Sequence, residues 1–229
     1  MPPVARCGMI LAAGRGERLR PLTDQLPKPL IRIGGHSLIE YQLQSLASAG
    51  IQRVVINLAY LGEMIEADVG DGQGSGLSIV YSREPEGAMG TGGGIRQALP
   101  LIDSDPFIVL NSDIWTDLSL RRLSDRIDGN AHLVLVDNPT HNPAGDFYLN
   151  NGRVLNHPAE SGRRLTFSGI GLYRHSLFED APAGRFPLAT TLRAAADTNL
   201  VTGEHFSGRW MDIGSPDRLD EALQLTADR

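Results

Sequence analysis

The residues best equipped for chemistry stand near the head of the chain. An apolar run over 8–11 passes into Ala12-Ala13-Gly14 and Gly16, and Pro27-Lys28-Pro29-Leu30 follows. Small side chains at such positions let main-chain N–H and C=O groups approach a ligand directly. Arg15, Arg18, Arg20 and Lys28 concentrate positive charge just beyond. Guanidinium groups suit bidentate phosphate contacts, and an ammonium supplies a point charge. A ligand that is part planar and part anionic fits this combination. Two other glycine-rich readings are excluded. A P-loop needs Gly-Lys followed by Ser or Thr, and the segment has none. A dinucleotide fingerprint needs a third glycine three residues after Gly16, where Leu19 stands.

Two carboxylates stand far from this stretch in sequence. Asp113 closes Asn111-Ser112-Asp113 after an apolar run over 107–110. In open α/β sheets, ligands sit outside the carboxyl ends of the strands, which is where Asp113 is expected. A helix cap is the plainer role for such an aspartate, but Trp115-Thr116-Asp117 next door is better placed for it. Asp212 interrupts the apolar segment 210–213 and precedes Gly214. Two carboxylates completed by substrate phosphates and water would suit Mg²⁺. The six histidines are scattered, and no Cys/His spacing suggests zinc. No Gly-x-Ser-x-Gly elbow occurs.

These residues must be held by elements that the pattern also predicts. Strands are expected over 8–11, 53–57, 77–81, 107–110 and 131–137. Helices are expected over 38–49, opened by a capping box between Ser37 and Glu40, over 61–69 and over 118–127. In the second of these helices, Met64 and Ile65 are expected inside and Glu63 and Glu66 outside. The alternation argues an α/β fold with a mostly parallel central sheet flanked by helices. The segment 84–94 is too rich in glycine for either element and reads as a loop leading into 95–99. Beyond Asn138 the texture changes to a small β-rich subregion. Short strands over 146–149 and 153–155 flank the turn signal Asn150-Asn151-Gly152. Further strands are expected over 166–173, 201–206 and 209–213, with helices over 188–197 and from Ser215-Pro216. One domain over 1–229 is expected, with a nucleotide half (1–137) and an acceptor half (138–229).

Composition narrows the function classes. The 229 residues are 41% hydrophobic and 21% charged, which permits an ordinary core. A formal net charge of -6 argues against nucleic acid as a partner. The single cysteine, Cys7, allows no intrachain disulfide and fits a reducing compartment. No signal-peptide h-region and no run of membrane-spanning length is present, so a cytoplasmic protein is expected. No protein partner is evident, and the expected partners are small molecules.

The stretch 11–23 with 27–30 resembles the signature of the sugar-1-phosphate nucleotidyltransferases, Leu-Ala-(Ala/Gly)-Gly-x-Gly-x-Arg-(Leu/Met)-x-Pro-(Leu/Ala)-Thr followed by Pro-Lys-Pro. The resemblance implies a Rossmann-like nucleotidyltransferase fold. It implies that Leu11, Ala12, Ala13, Gly14, Gly16, Glu17, Arg18 and Lys28 bind the nucleotide, with Arg18 and Lys28 catalytic. Met89-Gly90-Thr91-Gly92-Gly93 is similar to the family's base-covering loop, which adds Gly90, Thr91 and Gly92. Asp113 and Asp212, the latter in Trp210-x-Asp-Ile-Gly214, match its metal positions and imply Mg²⁺. Asn111, Gly145, Asp146, Asn156 and Ser168 fall in elements that line its sugar-phosphate pocket. Ser112 replaces the family's usual glycine, and Glu84 replaces a common glutamine, so base choice does not carry over from that position.

Over nearly its whole length the chain is similar to one branch of that family, the N-acetylmuramate-1-phosphate uridylyltransferases of bacterial cell-wall recycling. The supporting runs include Leu135-Val136-Asp137-Asn138-Pro139 and Gly203-Glu204-His205. That branch transfers a uridylyl group from UTP to the α-1-phosphate of N-acetylmuramic acid. A glucose-1-phosphate or mannose-1-phosphate nucleotidyltransferase is the alternative. The lactyl carboxylate of the muramic acceptor would need a cationic or amide partner. Arg153, Arg163 and Arg164 are candidates by position.

Overall fold

The computed structural model describes residues 4–85, 89–123, 126–158 and 161–227. In chain order its first half holds β1 (Cys7–Leu11), β2 (Arg32–Ile33), β3 (His36–Ser37), α1 (Leu38–Ser48), β4 (Arg53–Leu58), α2 (Gly62–Val69), β5 (Ser78–Arg83), α3 (Gly90–Ala98), β6 (Phe107–Asn111), β7 (Ile114–Thr116) and β8 (Ala131–Val136). The second half holds β9 (Phe147–Asn150), β10 (Arg153–Leu155), β11 (Arg163–Tyr173), α4 (Leu188–Asp197), β12 (Val201–His205), β13 (Trp210–Asp212) and α5 (Pro216–Ala227).

Nine strands form one sheet in the order β5-β4-β1-β6-β11-β8-β12-β10-β9. The four from β5 to β6 are mutually parallel, with Met9 of β1 level with Val55 and Val109. β11 enters antiparallel to β6 and to β8, while β8 and β12 pair in parallel. The fold is thus α/β. Its parallel half is what carries the carboxyl ends of β1, β4 and β6 to one rim.

Strand alternation explains how the sheet is covered. Ile10, Val54, Ile56, Ile108 and Leu110 pack on one face with Ile39, Leu43 and Leu46 of α1 and Ile65 of α2. Met9, Val55, Phe107 and Val109 pack on the other with Ile95 of α3 and Leu188, Leu192 and Ala196 of α4. Strands buried on both faces read as continuous apolar runs, which is why these were predictable. A third cluster joins Leu19, Ile31, Leu38, Trp115, Met211 and Ala222, and it seats α5 beneath the first loop. The capping box forms as expected. The Ser37 side chain accepts from Glu40 N, and the Glu40 carboxylate accepts from Ser37 N. The hairpin turn also forms, with Asn151 (φ 48) and Gly152 (φ 78) both left-handed.

Three expectations are corrected. The segment 118–127 is not a helix among the described residues. Only a 3-10 turn at Leu120–Arg122 is present, and residues 124–125 lie outside the description. Leu118, Leu120 and Leu123 are all buried, and positions two apart do not share one α-helical face. Met64 is exposed, because α2 buries Gly62 and Ile65 instead.

The third correction concerns 84–94. Residues 86–88 lie outside the description, but Gly90 to Gly94 open the helix α3 rather than forming a loop. Glycine costs up to about 1 kcal/mol per residue in a helix, so something else must hold it. The Phe186 C=O accepts from Gly92 N (3.0 Å) and Gly93 N (3.2 Å), Phe186 N donates to Met89 O (3.0 Å), and Leu188 N donates to Thr91 Oγ1 (2.8 Å). These bonds draw the segment ahead of α4 so close that side chains would collide. A Cβ on Gly92 would lie 2.3 Å from the Phe186 ring, and one on Gly93 would lie 2.3 Å from Gly184 O.

Gly92→Ala separates propensity from packing. Propensity alone would stabilise the variant, whereas the collision with Phe186 is expected to destabilise it by about 1–3 kcal/mol. Urea denaturation of the two proteins decides the sign.

Candidate active site

The loop after β1 is locked from within. Gly16 takes a left-handed conformation (φ 65), and its C=O accepts from the buried Thr23 Oγ1 at 2.9 Å. Ala12 N donates to Asn57 Oδ1 at 2.7 Å, which fastens the loop to the carboxyl end of β4. Asn57 Nδ2 donates to Glu84 Oε1 (2.6 Å), and Glu84 Oε2 accepts from Met89 N (2.6 Å) just ahead of α3. One relay of three hydrogen bonds thus spans the first loop, β4, the end of β5 and the start of α3.

Between these walls lies a cavity of about 430 Å³. Leu11, Ala13, Gly14, Gly16, Glu17, Arg18, Lys28, Gly90, Thr91, Asn111 and Asp113 line it, and Asn57, Glu84 and Gly214 join them. Of the four early cations, two reach it. Arg20 instead pairs with Asp24 at 2.9 Å on the surface, and Arg15 lies over the Tyr60 ring at 4.8 Å. Lys28 Nζ donates to Asp113 Oδ2 across the cavity, with both side chains largely sheltered from water.

Asp212 sits on β13, which pairs antiparallel with β7 beside Asp113, and Ile213 N donates to the Asp113 C=O at 2.8 Å. Burial raises the Asp212 carboxyl above its ordinary range, and Arg218 and His141 work against that rise. Arg218 Nη1 donates to Asp212 Oδ1 at 2.9 Å, and His141 Nε2 lies 3.2 Å from the same oxygen. Gly214 makes room for the cations around it. A Cβ there would stand 2.5 Å from Arg218 Nη2 and 2.8 Å from Arg18 Nη2.

Asn111 also lines a second cavity of about 220 Å³, together with Thr91, Asp146, Phe147, Phe167, Leu188 and Arg193. Asp146 is fixed there, accepting from Phe167 N (2.8 Å) and Asn142 Nδ2 (3.1 Å). Gly169 (φ 80) lies against Asn111, where a Cβ would come within 2.6 Å of Nδ2.

Six residues expected at the site line neither cavity, and one of them is Asp212, which stands on β13 beside the first. Ala12 is buried and acts through its N–H. Gly92 is covered by Phe186. Gly145 (φ 63) turns the chain against Asn138. Ser168 is wholly buried, with Oγ accepting from Ile170 N and its C=O accepting from Trp210 Nε1. Asn156 stands behind the second cavity, with Oδ1 accepting from Arg193. The expected carboxylate partners also lie elsewhere. Arg153 pairs with Asp128 at 2.7 Å, Arg163 pairs with Asp137 at 2.6 Å, and Arg164 lies over the Tyr148 ring. Asn57, Arg218 and Arg193 were missed from sequence. Asn57 alone carried a usable signal, a polar residue closing an apolar parallel strand.

The family model described as nucleotidyl transferase matches residues 7–149. The chain is 46% identical to an N-acetylmuramate alpha-1-phosphate uridylyltransferase of Neisseria meningitidis serogroup B, over 95% of this chain and 96% of that one. It is 31% identical to a protein of the same name from Caulobacter vibrioides, over 94% and 95%. Among solved structures, an inositol-1-phosphate CTP transferase from T. maritima superposes with a TM-score of 0.77 at 20% identity, over 99% of this chain and 97% of that one, and so shares the fold.

Asn57→Ala removes the acceptor of a buried N–H and frees one oxygen of Glu84. Stability is expected to fall by about 1–3 kcal/mol, the cost of a stranded buried donor. Chemical denaturation of the variant measures it, and an unchanged midpoint would show that the relay is dispensable.

Proposed function

The chain belongs to the nucleotidyl transferase family, and on that premise we propose that it transfers the uridylyl group of UTP to N-acetylmuramic acid α-1-phosphate. The products are UDP-N-acetylmuramic acid and pyrophosphate, and the reaction serves the recycling of cell-wall sugars. The observation that carries the chemistry is the convergence of Arg18, Lys28 and Asp113 on one cavity floored by the small residues after β1. The choice of base and sugar follows the relative that is 46% identical over almost the full chain.

A sugar 1-phosphate is largely ionised near neutral pH, because its second pKa is about 6. Its oxygen attacks the α-phosphorus of the triphosphate, a new P–O bond forms, and the bond to pyrophosphate breaks. No proton has to be removed, so no general base is required. The obstacle is repulsion between two polyanions. Lys28 and Arg18 face that charge from the cavity wall and are the groups we assign to the transferring and departing phosphates. In this reading the nucleotide lies against Leu11, Gly14, Gly16, Glu17, Gly90 and Thr91. The sugar extends past Asn111 toward Asp146. The first 137 residues in this reading supply most of the nucleotide contacts and the remainder most of the acceptor contacts, with Thr91 and Asn111 lining both cavities and Gly214 returning to the first.

Mg²⁺ is the cofactor this reading calls for. Asp212 on β13 and Asp113, in the turn that leads into the paired strand β7, are hard oxygen donors. Although His141 stands against Asp212, among the described residues no group of three or more His, Cys, Asp or Glu side chains is placed to hold a metal ion. That set leaves room for phosphate oxygens and water, as Mg²⁺ prefers. Once bound, the ion supplies compact positive charge to the phosphate oxygens. Among the described residues no helix is long and apolar enough to cross a membrane. The reading sets the protein in the cytoplasm, where a lone thiol stays reduced.

A panel of triphosphates and sugar 1-phosphates with Mg²⁺, assayed for pyrophosphate, tests the assignment. UTP with N-acetylmuramic acid 1-phosphate is expected to be the best pair. A preference for GTP with mannose 1-phosphate would overturn the choice of substrates. Lys28→Ala is expected to lower kcat by about a hundred- to a thousandfold, the range for one removed electrostatic group. Near-normal turnover in a folded variant would refute its role.

A further inference from the structure

The second cavity carries a feature that phosphate chemistry does not use. Its walls are largely apolar, from Phe147, Phe167, Pro187, Leu188 and Leu192, and Arg193 of α4 is the one cation among its lining residues. The Arg193 guanidinium is held in place. It lies over the Phe147 ring at 4.9 Å, and Nη1 donates to Asn156 Oδ1 at 2.5 Å. Asn156 is oriented in turn, its Nδ2 donating to Asp197 Oδ2 at 3.3 Å.

Among the described residues Arg193 has no carboxylate partner within ion-pair distance. Asp146 shares the cavity, but both its oxygens are engaged by Phe167 N and Asn142 Nδ2. A guanidinium offers five donors, and the described residues around this one engage only one of them through a hydrogen bond. An oriented cation on an apolar wall, lacking an internal counterion, is suited to an anionic ligand group.

Position decides which anion. The two cavities share Thr91 and Asn111 and no other lining residue. Arg18, Lys28 and Asp113 line the first, and Arg193 lines the second. A sugar whose 1-phosphate points to Lys28 would therefore turn its other substituents toward Arg193. Resting on the proposed function, we propose that Arg193 is the acceptor-specificity residue, binding a carboxylate carried on the sugar ring. Asn156 is its positioning residue and acts through the guanidinium. This replaces Arg153 and Arg163, which are paired with Asp128 and Asp137.

The test compares two acceptors that differ only in the carboxylate-bearing ether. These are N-acetylmuramic acid 1-phosphate and N-acetylglucosamine 1-phosphate, each with UTP and Mg²⁺. Arg193→Gln is expected to lose roughly ten- to a hundredfold in kcat/KM with the carboxylated acceptor, through KM. Turnover of the uncarboxylated acceptor and the KM for UTP should stay within twofold, which also reports that the variant is folded. Arg193→Lys should recover part of the loss, and Asn156→Ala should raise the same KM alone. An equal loss on both acceptors, or none on the carboxylated one, would overturn the assignment. A wild-type protein that discriminates against the carboxylated acceptor would overturn the proposed function, and this assignment with it.

Discussion

Everything at the upper rim of the sheet depends on one relay of hydrogen bonds from Ala12 N through Asn57 and Glu84 to Met89 N. It joins at the rim two segments whose apolar packing, Ile95 of α3 against Met9 and Val55, lies further down the sheet. On one side stands a loop of alanines and glycines, and on the other the start of a glycine helix. Neither has side chains that could pack to define a gap. Hydrogen bonds through a buried amide and a carboxylate are directional, so they set the spacing that apolar packing cannot. The cavity exists because that spacing is fixed.

Charge is organised around the same gap by pairing. Lys28 meets Asp113, and Arg218 with His141 meets Asp212. Each aspartate is thereby neutralised in a partly sheltered place, where an unpaired carboxylate would be costly. The arrangement also keeps Lys28 beside the metal-ligand position we assign, so anion and cation enter a region already poised for both signs. Gly214 is part of this design. It lets the guanidinium groups of Arg18 and Arg218 come together over β13, although the two are contributed by opposite ends of the chain.

Much of this was legible in the residues. Strands buried on both faces leave continuous apolar runs, and the capping box writes its own chemistry between Ser37 and Glu40. The loop after β1 was readable because small residues followed by cations have few other uses. The helix α3 was not readable. Its stability comes from bonds to Phe186, nearly a hundred residues away, and such tertiary terms override propensity. The same holds within the candidate site. Ser168 looked available for a ligand, yet the bulge in β11 between Phe167 and Gly171 turns it inward beneath Trp210. Arg193 gave no signal, since an arginine on an amphipathic helix ordinarily faces water. Only the fold reveals Phe147 beneath it and Asn156 behind it.

The capture of Gly92 and Gly93 N–H by the Phe186 carbonyl carries a consequence for how anions are held. Free N–H groups in a helix's first turn often serve as a neutral cradle for phosphate, and these two are turned away from that task. In the reading proposed above, attraction for the polyphosphate then rests more heavily on the charged side chains of Arg18 and Lys28. Such attraction weakens as dissolved ions accumulate, over a screening length near 8 Å at physiological ionic strength. On that reading, nucleotide binding that loosens as salt is added follows from the way this one helix is anchored.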